Sequence, residues 1–440
     1  MSTEPASVQP TSEESGPDKS KQFKVGGWGA HYVLIICSLL YLIDSIDRYV
    51  FSAVMQPMKV DLGLTDTQLG MAQTAFLLGM ALFSFPIAYL VDRWSRKKSI
   101  AIMAVIWSAT TAITGLAKNF IGVLIPRSFV GIGEAGFNAG GTALVSAVYK
   151  KEWRSRVLSI FFALGTIGNV LGIVLGGLMS VKYGWRSAFF VLGIPGIILA
   201  IFALFMRDYK TIHRTEASAE TKGFGKSILA VIKIPSLRWF YIGFILLVFL
   251  SAAVGAWFPA LAMRAMNINE AQAGTLIGYI FLAAIPGAVV GGFLADWWQK
   301  KSPNGRVYLG FVATFLNSVC VVVFAMLLFN GLGIAAGLLY GFTAPMANPI
   351  IASVSQDVVR PEHKGLAFGL AVFSGYIFGG AWSPLAVGAV SDALGGGADG
   401  LRVAIIGSSV IGVIGSLIIL LAARHYAADR EKVQHLTLAE

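Results

Sequence analysis

Charge is what this chain has least of. Lys, Arg, Asp and Glu make up only 13% of its 440 residues, roughly half the share of an ordinary soluble domain. That deficit excludes a water-facing shell over most of the surface, and a single apolar anchor does not account for it. Cysteine is nearly absent as well: Cys37 and Cys320 both sit inside apolar runs, which excludes a disulfide framework and a thiolate metal site. The five histidines, His31, His213, His363, His425 and His435, all fall at the ends of apolar segments or between them. No HExxH, GxSxG or Walker loop occurs. The chain is therefore not expected to be an enzyme, and no cofactor or metal is expected.

What is present is hydrophobic. Apolar residues reach 56%, mean hydropathy is +0.72, and the 50 glycines suit helices that approach closely in a membrane. The net charge of +11 lies in short runs between apolar blocks, which argues against nucleic acid and for cytoplasmic loops. Met1 to Lys24 is rich in Ser, Glu, Pro and Lys without an apolar run; it reads as a disordered cytosolic tail, not a signal peptide.

About twenty apolar residues make a helix long enough to cross a hydrocarbon core of about 30 Å. Spans are expected near 31–57, 67–91, 99–117, 120–148, 157–181, 186–206, 239–263, 271–295, 307–329, 332–356, 365–391 and 403–423. Arg93, Arg96, Lys97, Lys98; Lys150, Lys151, Arg154, Arg156; Lys300, Lys301, Arg306; and Arg360, Lys364 fill one alternating set of loops. Positive residues collect inside, so both termini are expected in the cytoplasm of a multi-pass protein of the cell (inner) membrane.

One long polar interruption divides the chain. The expected order is a tail over 1–29, a six-helix bundle over 30–206, a cytoplasmic linker over 207–237, a second bundle over 238–424 and a tail over 425–440. The stretch from Phe224 to Ile234 has the pattern of a short amphipathic helix. The halves repeat: Gly63 to Gly70 (GLTDTQLG) aligns without gaps with Asn267 to Gly274 (NINEAQAG). Thr65 with Gln68, and Asn269 with Gln272, have the spacing of capping boxes. The same register sets Asp92 opposite Asp296.

The stretch Leu90-Val91-Asp92-Arg93-Trp94-Ser95-Arg96-Lys97 resembles the signature loop of the major facilitator superfamily, with Ala88 where that family has a glycine. Asp47-Arg48-Tyr49, Arg127 with Gly131-Ile-Gly-Glu-Ala-Gly136, Gly184-Trp185-Arg186 and Ser383-Pro384 through Gly388 to Ser391-Asp392 resemble its spinster-like branch. The GxGEA element is shared with organic-anion symporters. The resemblance implies an all-α membrane protein of twelve transmembrane helices in two bundles that rock about a central site.

Ionisable residues at membrane depth cost about 2.5–3.5 kcal/mol each, so they are functional candidates. Asp44, Asp47, Arg48, Arg127 and Glu134 qualify, all in the first half. Asp44, Asp47 and Arg48 share a helix face at i, i+3, i+4. The alternative for all five is static ion pairing. As transport chemistry, Glu134, Asp47 or Asp44 would carry a proton, while Arg48, Arg127, Glu134 and Asp47 would bind substrate. Asp92, Arg93, Arg96 and Asp296 read as a clasp at the cytoplasmic end. Phe249, Trp257, Phe258, Phe342, Phe373, Tyr376 and Trp382 are candidate linings of the second half. A charged wall facing an apolar one suits an amphiphilic anion, and the spinster resemblance implies a lysophospholipid or sphingoid phosphate. The alternative is a small carboxylate or sugar acid. Protons are the expected coupling ion, membrane lipids the expected surroundings, and a monomer the expected assembly.

Overall fold

The computed structural model describes residues 25–208, 224–328 and 330–434, without the side chains of Asp92, Lys151, Phe224 and Gln434. Residues 1–24 of the expected tail and 209–223 of the expected linker lie outside the described residues.

Among the described residues eleven helices are long and apolar enough to cross a membrane. They are α1 (Trp28–Leu62), α2 (Asp66–Val91, continuing to Arg93), α4 (Phe120–Val148), α5 (Arg154–Tyr183), α6 (Trp185–Ala203), α7 (Pro235–Met266), α8 (Glu270–Lys301), α9 (Gly305–Met326), α10 (Gly331–Asp357), α11 (Pro361–Ala393) and α12 (Ala398–Val433, continuing to Gln434). The twelfth, α3 (Arg96–Thr114), is less apolar because it opens on Arg96-Lys97-Lys98. A short helix, Phe224–Ile232, stands between the halves. The last helix runs through part of the segment expected as a tail, because Tyr426 is fully buried and Asp429 nearly so.

Local chemistry explains the boundaries. Both capping boxes form: Thr65 with Gln68 opens α2, and Asn269 with Gln272 opens α8. Each satisfies backbone N–H groups that would otherwise be orphaned in a low-dielectric setting. Spans four and eight are each interrupted, at Ala135-Gly136 and at Ala283. Span eleven passes through a π-helical stretch at Tyr376–Gly380.

The end carrying both described termini is the basic end, and the opposite one the distal end. At the distal end α2 meets α11 and α5 meets α8 across the seam between the halves. A Cβ on Gly70 would stand 2.2 Å from the Pro384 carbonyl oxygen, and one on Gly388 would stand 2.3 Å from that of Asp66. Only glycine lets these backbones touch. Towards the basic end α2 and α11 meet through side chains, with the Phe85 and Phe373 rings 5.3 Å apart. The seam is tight distally and loose at the other end.

Candidate functional site

α4 places Glu134 by backbone contact. A Cβ on Gly131 would lie 2.0 Å from the Phe76 carbonyl oxygen of α2, and one on Gly133 would lie 2.8 Å from the Trp107 nitrogen of α3. Held between those two helices, Glu134 points at α1 and accepts a hydrogen bond from Arg48 Nε at 2.8 Å. Arg48 Nη2 lies 2.9 Å from Asp44 Oδ2, the i,i+4 neighbour on the same helix face. One arginine thus holds two acids, both fully buried at the side chain. Glu134 Oε1 and Asp44 Oδ1 have no hydrogen-bond partner among the described residues.

Asp47 turns away from Arg48. Its Oδ2 accepts from the Thr111 hydroxyl at 3.2 Å, as neighbours about 100° apart on a helix permit. Arg127 donates to Gln73 Oε1 at 2.9 Å and to the Asp47 backbone carbonyl at 3.4 Å. Its guanidinium carbon is 4.5 Å from the Phe51 ring centre and 4.6 Å from that of Phe76. Among the described residues no carboxylate comes within ion-pair distance of it; two aromatic faces carry much of its stabilisation.

A cavity of about 560 Å³ lies between the halves, roughly midway along the spans. Of the five charged candidates only Arg48 lines it, with Asp44, Asp47, Arg127 and Glu134 behind the wall. Tyr41, Tyr49, Gln73 and Asn169 share the first-half wall, while Ser251, Asn348 and Tyr376 face them from the second. The second-half wall is not the aromatic surface expected, since Tyr376 alone of the seven aromatic candidates reaches it. Trp257 instead donates to the Pro384 carbonyl oxygen at 3.1 Å. Phe258 stacks on Phe324 at 4.5 Å, and Trp382 is exposed. Apolar character in a sequence does not say which face of a helix a ring occupies.

Of the four clasp candidates, Asp92, Arg93 and Arg96 stand at the basic end of the first half and Asp296 in the second. Arg93 lies over the Tyr89 ring at 4.3 Å, Arg96 is buried, and the side chain of Asp92 is outside the described residues. Asp296 accepts from Arg306 at 2.8 Å, and Arg306 also reaches Asp357 at 2.5 Å, all within the second half. The charged bridge between the halves is at the distal end instead. There Arg264 binds Asp66 through both terminal nitrogens, each at 2.6 Å. Lys59 and Ser391 add bonds of 2.7 and 2.6 Å to the same carboxylate. Asp392 of α11 accepts from the Asp66 and Thr67 amides, at 3.0 and 2.7 Å, and so caps α2 from across the seam. Sequence reasoning missed this network, because Asp66 and Arg264 are 198 positions apart and neither stands out alone.

Two similar six-helix halves around one central cavity, closed at one end and charged at its wall, define a membrane transporter. The chain belongs to the Major Facilitator Superfamily, whose pattern matches residues 37–384. Within it the similarity is to spinster proteins. "Protein spinster" of Drosophila melanogaster is 26% identical over 378 residues, covering 82% of this chain; the chain spans 62% of that relative's own length. "Sphingosine-1-phosphate transporter SPNS2" of Xenopus tropicalis is 24% identical over 455 residues, covering 98% of this chain and 88% of the relative. "Hexuronate transporter" of Bacillus subtilis is 25% identical over 358 residues, covering 78% and 83%. Among solved structures, a bacterial homolog of the human lysosomal transporter Spinster, inward-facing and unoccupied, superposes with a TM-score of 0.82 at 22% identity, covering 92% of this chain and 99% of that one.

Proposed function

We propose that the protein moves an amphiphilic anion, of the lysophospholipid or sphingoid-phosphate kind, across the cell membrane by alternating access coupled to protons. The observation that carries this reading is the placement of Arg48. Among the described residues it is the one formally charged side chain on the cavity wall, and two buried acids hold it from behind. An anionic head entering the cavity competes with Glu134 and Asp44 for the guanidinium. The acid released is left buried beside a weaker partner, where a proton replaces the lost cation at lower cost than an uncompensated charge. Glu134 is the first proton carrier in this scheme, since it sits on the glycine-rich face of α4 and holds Arg48, the residue at the wall; Asp47 and Asp44 follow. Arg127 positions Gln73 at the wall and joins the substrate set through it. In this scheme both termini face the cytoplasm, and the tight distal seam supports a state open to the basic, cytoplasmic end. Asp92, Arg93, Arg96 and Asp296 would close that end in the opposite state.

The experiment is uptake into proteoliposomes holding the purified protein, with and without a proton gradient, comparing a lysophospholipid with a hexuronate. Gradient-stimulated movement of the lysolipid alone supports the reading. Movement of the hexuronate alone overturns the substrate class and leaves the transporter. That second reading, a small organic anion, has its own support: the cavity wall carries hydrogen-bonding groups from both halves, which suits a small polyhydroxylated carboxylate.

A further inference from the structure

A second pocket, of about 460 Å³, lies at the basic end and away from the central cavity. Three pieces of chain meet there: the end of the short helix Phe224–Ile232 with the turn into α7, the junction of α10 and α11, and the last turns of α12. Val231 is buried in an apolar cluster with Val358, Val359 and Tyr426, so the short helix is anchored on the second half. Apolar residues make the floor of the pocket. Its rim carries Lys233, Arg360, His363 and Lys432.

Asp429 is the one acid in the lining, and both its oxygens are engaged. Oδ2 accepts from the Ser236 amide at 3.1 Å, and Oδ1 accepts from Lys432 at 3.1 Å. Lys233 and Arg360 are exposed, and their side chains have no ion-pair or hydrogen-bond partner among the described residues. The pocket therefore holds cationic charge that nothing in it balances.

Its location decides what kind of anion fits. Every strand of its wall is the basic-end terminus of a membrane-crossing helix or the short helix beside one, so it sits where the spans leave the bilayer. Leu229 and Ile232 of the short helix turn apolar side chains outward, 52% and 42% exposed. A helix that docks one face on protein and shows apolar side chains on another lies in the membrane interface. A free phosphate would use the rim and leave the apolar floor wet; a lipid uses both.

We infer that this pocket is a binding site for the headgroup of an anionic membrane phospholipid, held by Lys233 and Arg360, with acyl chain laid along Ala230, Ile234 and Val433. Juxtamembrane cations next to apolar surface recognise such headgroups. The site is separate from the transport cavity, and an occupied site ties the segment joining the two halves to the second of them.

The test uses the full-length protein in detergent with phosphatidylglycerol, phosphatidylcholine or glycerol phosphate added, read by native mass spectrometry and melting temperature. Phosphatidylglycerol should bind saturably and raise the melting temperature. The variant Lys233→Gln/Arg360→Gln should bind it about thirtyfold more weakly through loss of two cations, with its melting temperature in lipid-free detergent unchanged. Equal effects from phosphatidylcholine would overturn the proposal, and equal effects from glycerol phosphate would replace it with a soluble-anion site. A control, Lys300→Gln/Lys301→Gln, should bind as the parent does; an equal loss there would mean diffuse charge and no site.

Discussion

Arg264 of the second half grips Asp66 of the first through Nη1 to Oδ2 and Nη2 to Oδ1, each at 2.6 Å. The two residues are 198 positions apart in the chain, and both side chains are nearly or wholly buried. A bidentate guanidinium–carboxylate pair of this kind is strong and directional, and removing one member leaves the other uncompensated.

Asp66→Asn should therefore release the distal seam. The lost pair costs the closed state about 3–5 kcal/mol, enough to shift the population towards the state open at that end. Spin labels on exposed Val60 and Leu394 would report it as a longer distal distance. An unchanged distribution would mean that the backbone contacts alone keep the seam shut.

Those contacts have their own prediction. Gly388→Val sets a side chain where even a Cβ would be 2.3 Å from the Asp66 carbonyl oxygen. Overpacking of this sort costs about 1–3 kcal/mol, and it falls on the closed state only. The same labels should again separate, with the Arg264–Asp66 residues untouched.

Glu134→Gln keeps shape and one hydrogen-bond acceptor for Arg48 while removing the titrating group. Gradient-stimulated uptake should be lost, and substrate binding should stay within about threefold of the parent, a change under about 0.7 kcal/mol. Full gradient dependence in the variant would remove Glu134 from the coupling step.

Arg48→Ala should weaken binding of the anion by more than about tenfold, or about 1.4 kcal/mol. It should also lower the melting temperature, because Asp44 and Glu134 lose the cation between them. Arg48→Lys should recover thermal stability better than binding, since an ammonium supplies charge without the guanidinium's fork.

Orientation is open to a simple measurement. Leu332, 64% exposed at the distal start of α10, is expected outside the cell. Leu332→Cys should react with an impermeant thiol reagent applied to intact cells; reaction from the cytosolic side alone would invert the topology.

The spans were legible because hydrocarbon thickness imposes a length on each apolar run. The capping boxes at Thr65 and Asn269 were legible because capping is local in sequence. So was the approach of Asp44 to Arg48, one helical turn apart. The distal network was not. Asp66 stands in the first turn of a helix, where the positive end of the helix dipole already explains an acid, and Arg264 looks like a lone loop cation. Nothing short of the folded seam joins them. The second-half wall was misjudged for a related reason: Trp257 and Phe258 are neighbours in sequence, yet both face into the protein and neither reaches the cavity.

Asp44, Asp47, Arg48, Arg127 and Glu134 all belong to the first half, while the second half offers the cavity Ser251, Asn348 and Tyr376 with small apolar neighbours and no formal charge. On the proposed scheme the two halves share a pattern but divide the labour, the first supplying every charge that binds or couples and the second shaping the space beside them. A hybrid that keeps residues through 206 and takes its second half from another member of the superfamily should keep its ion requirement and its need for an anionic cargo, and change only the size and shape of the cargo it accepts.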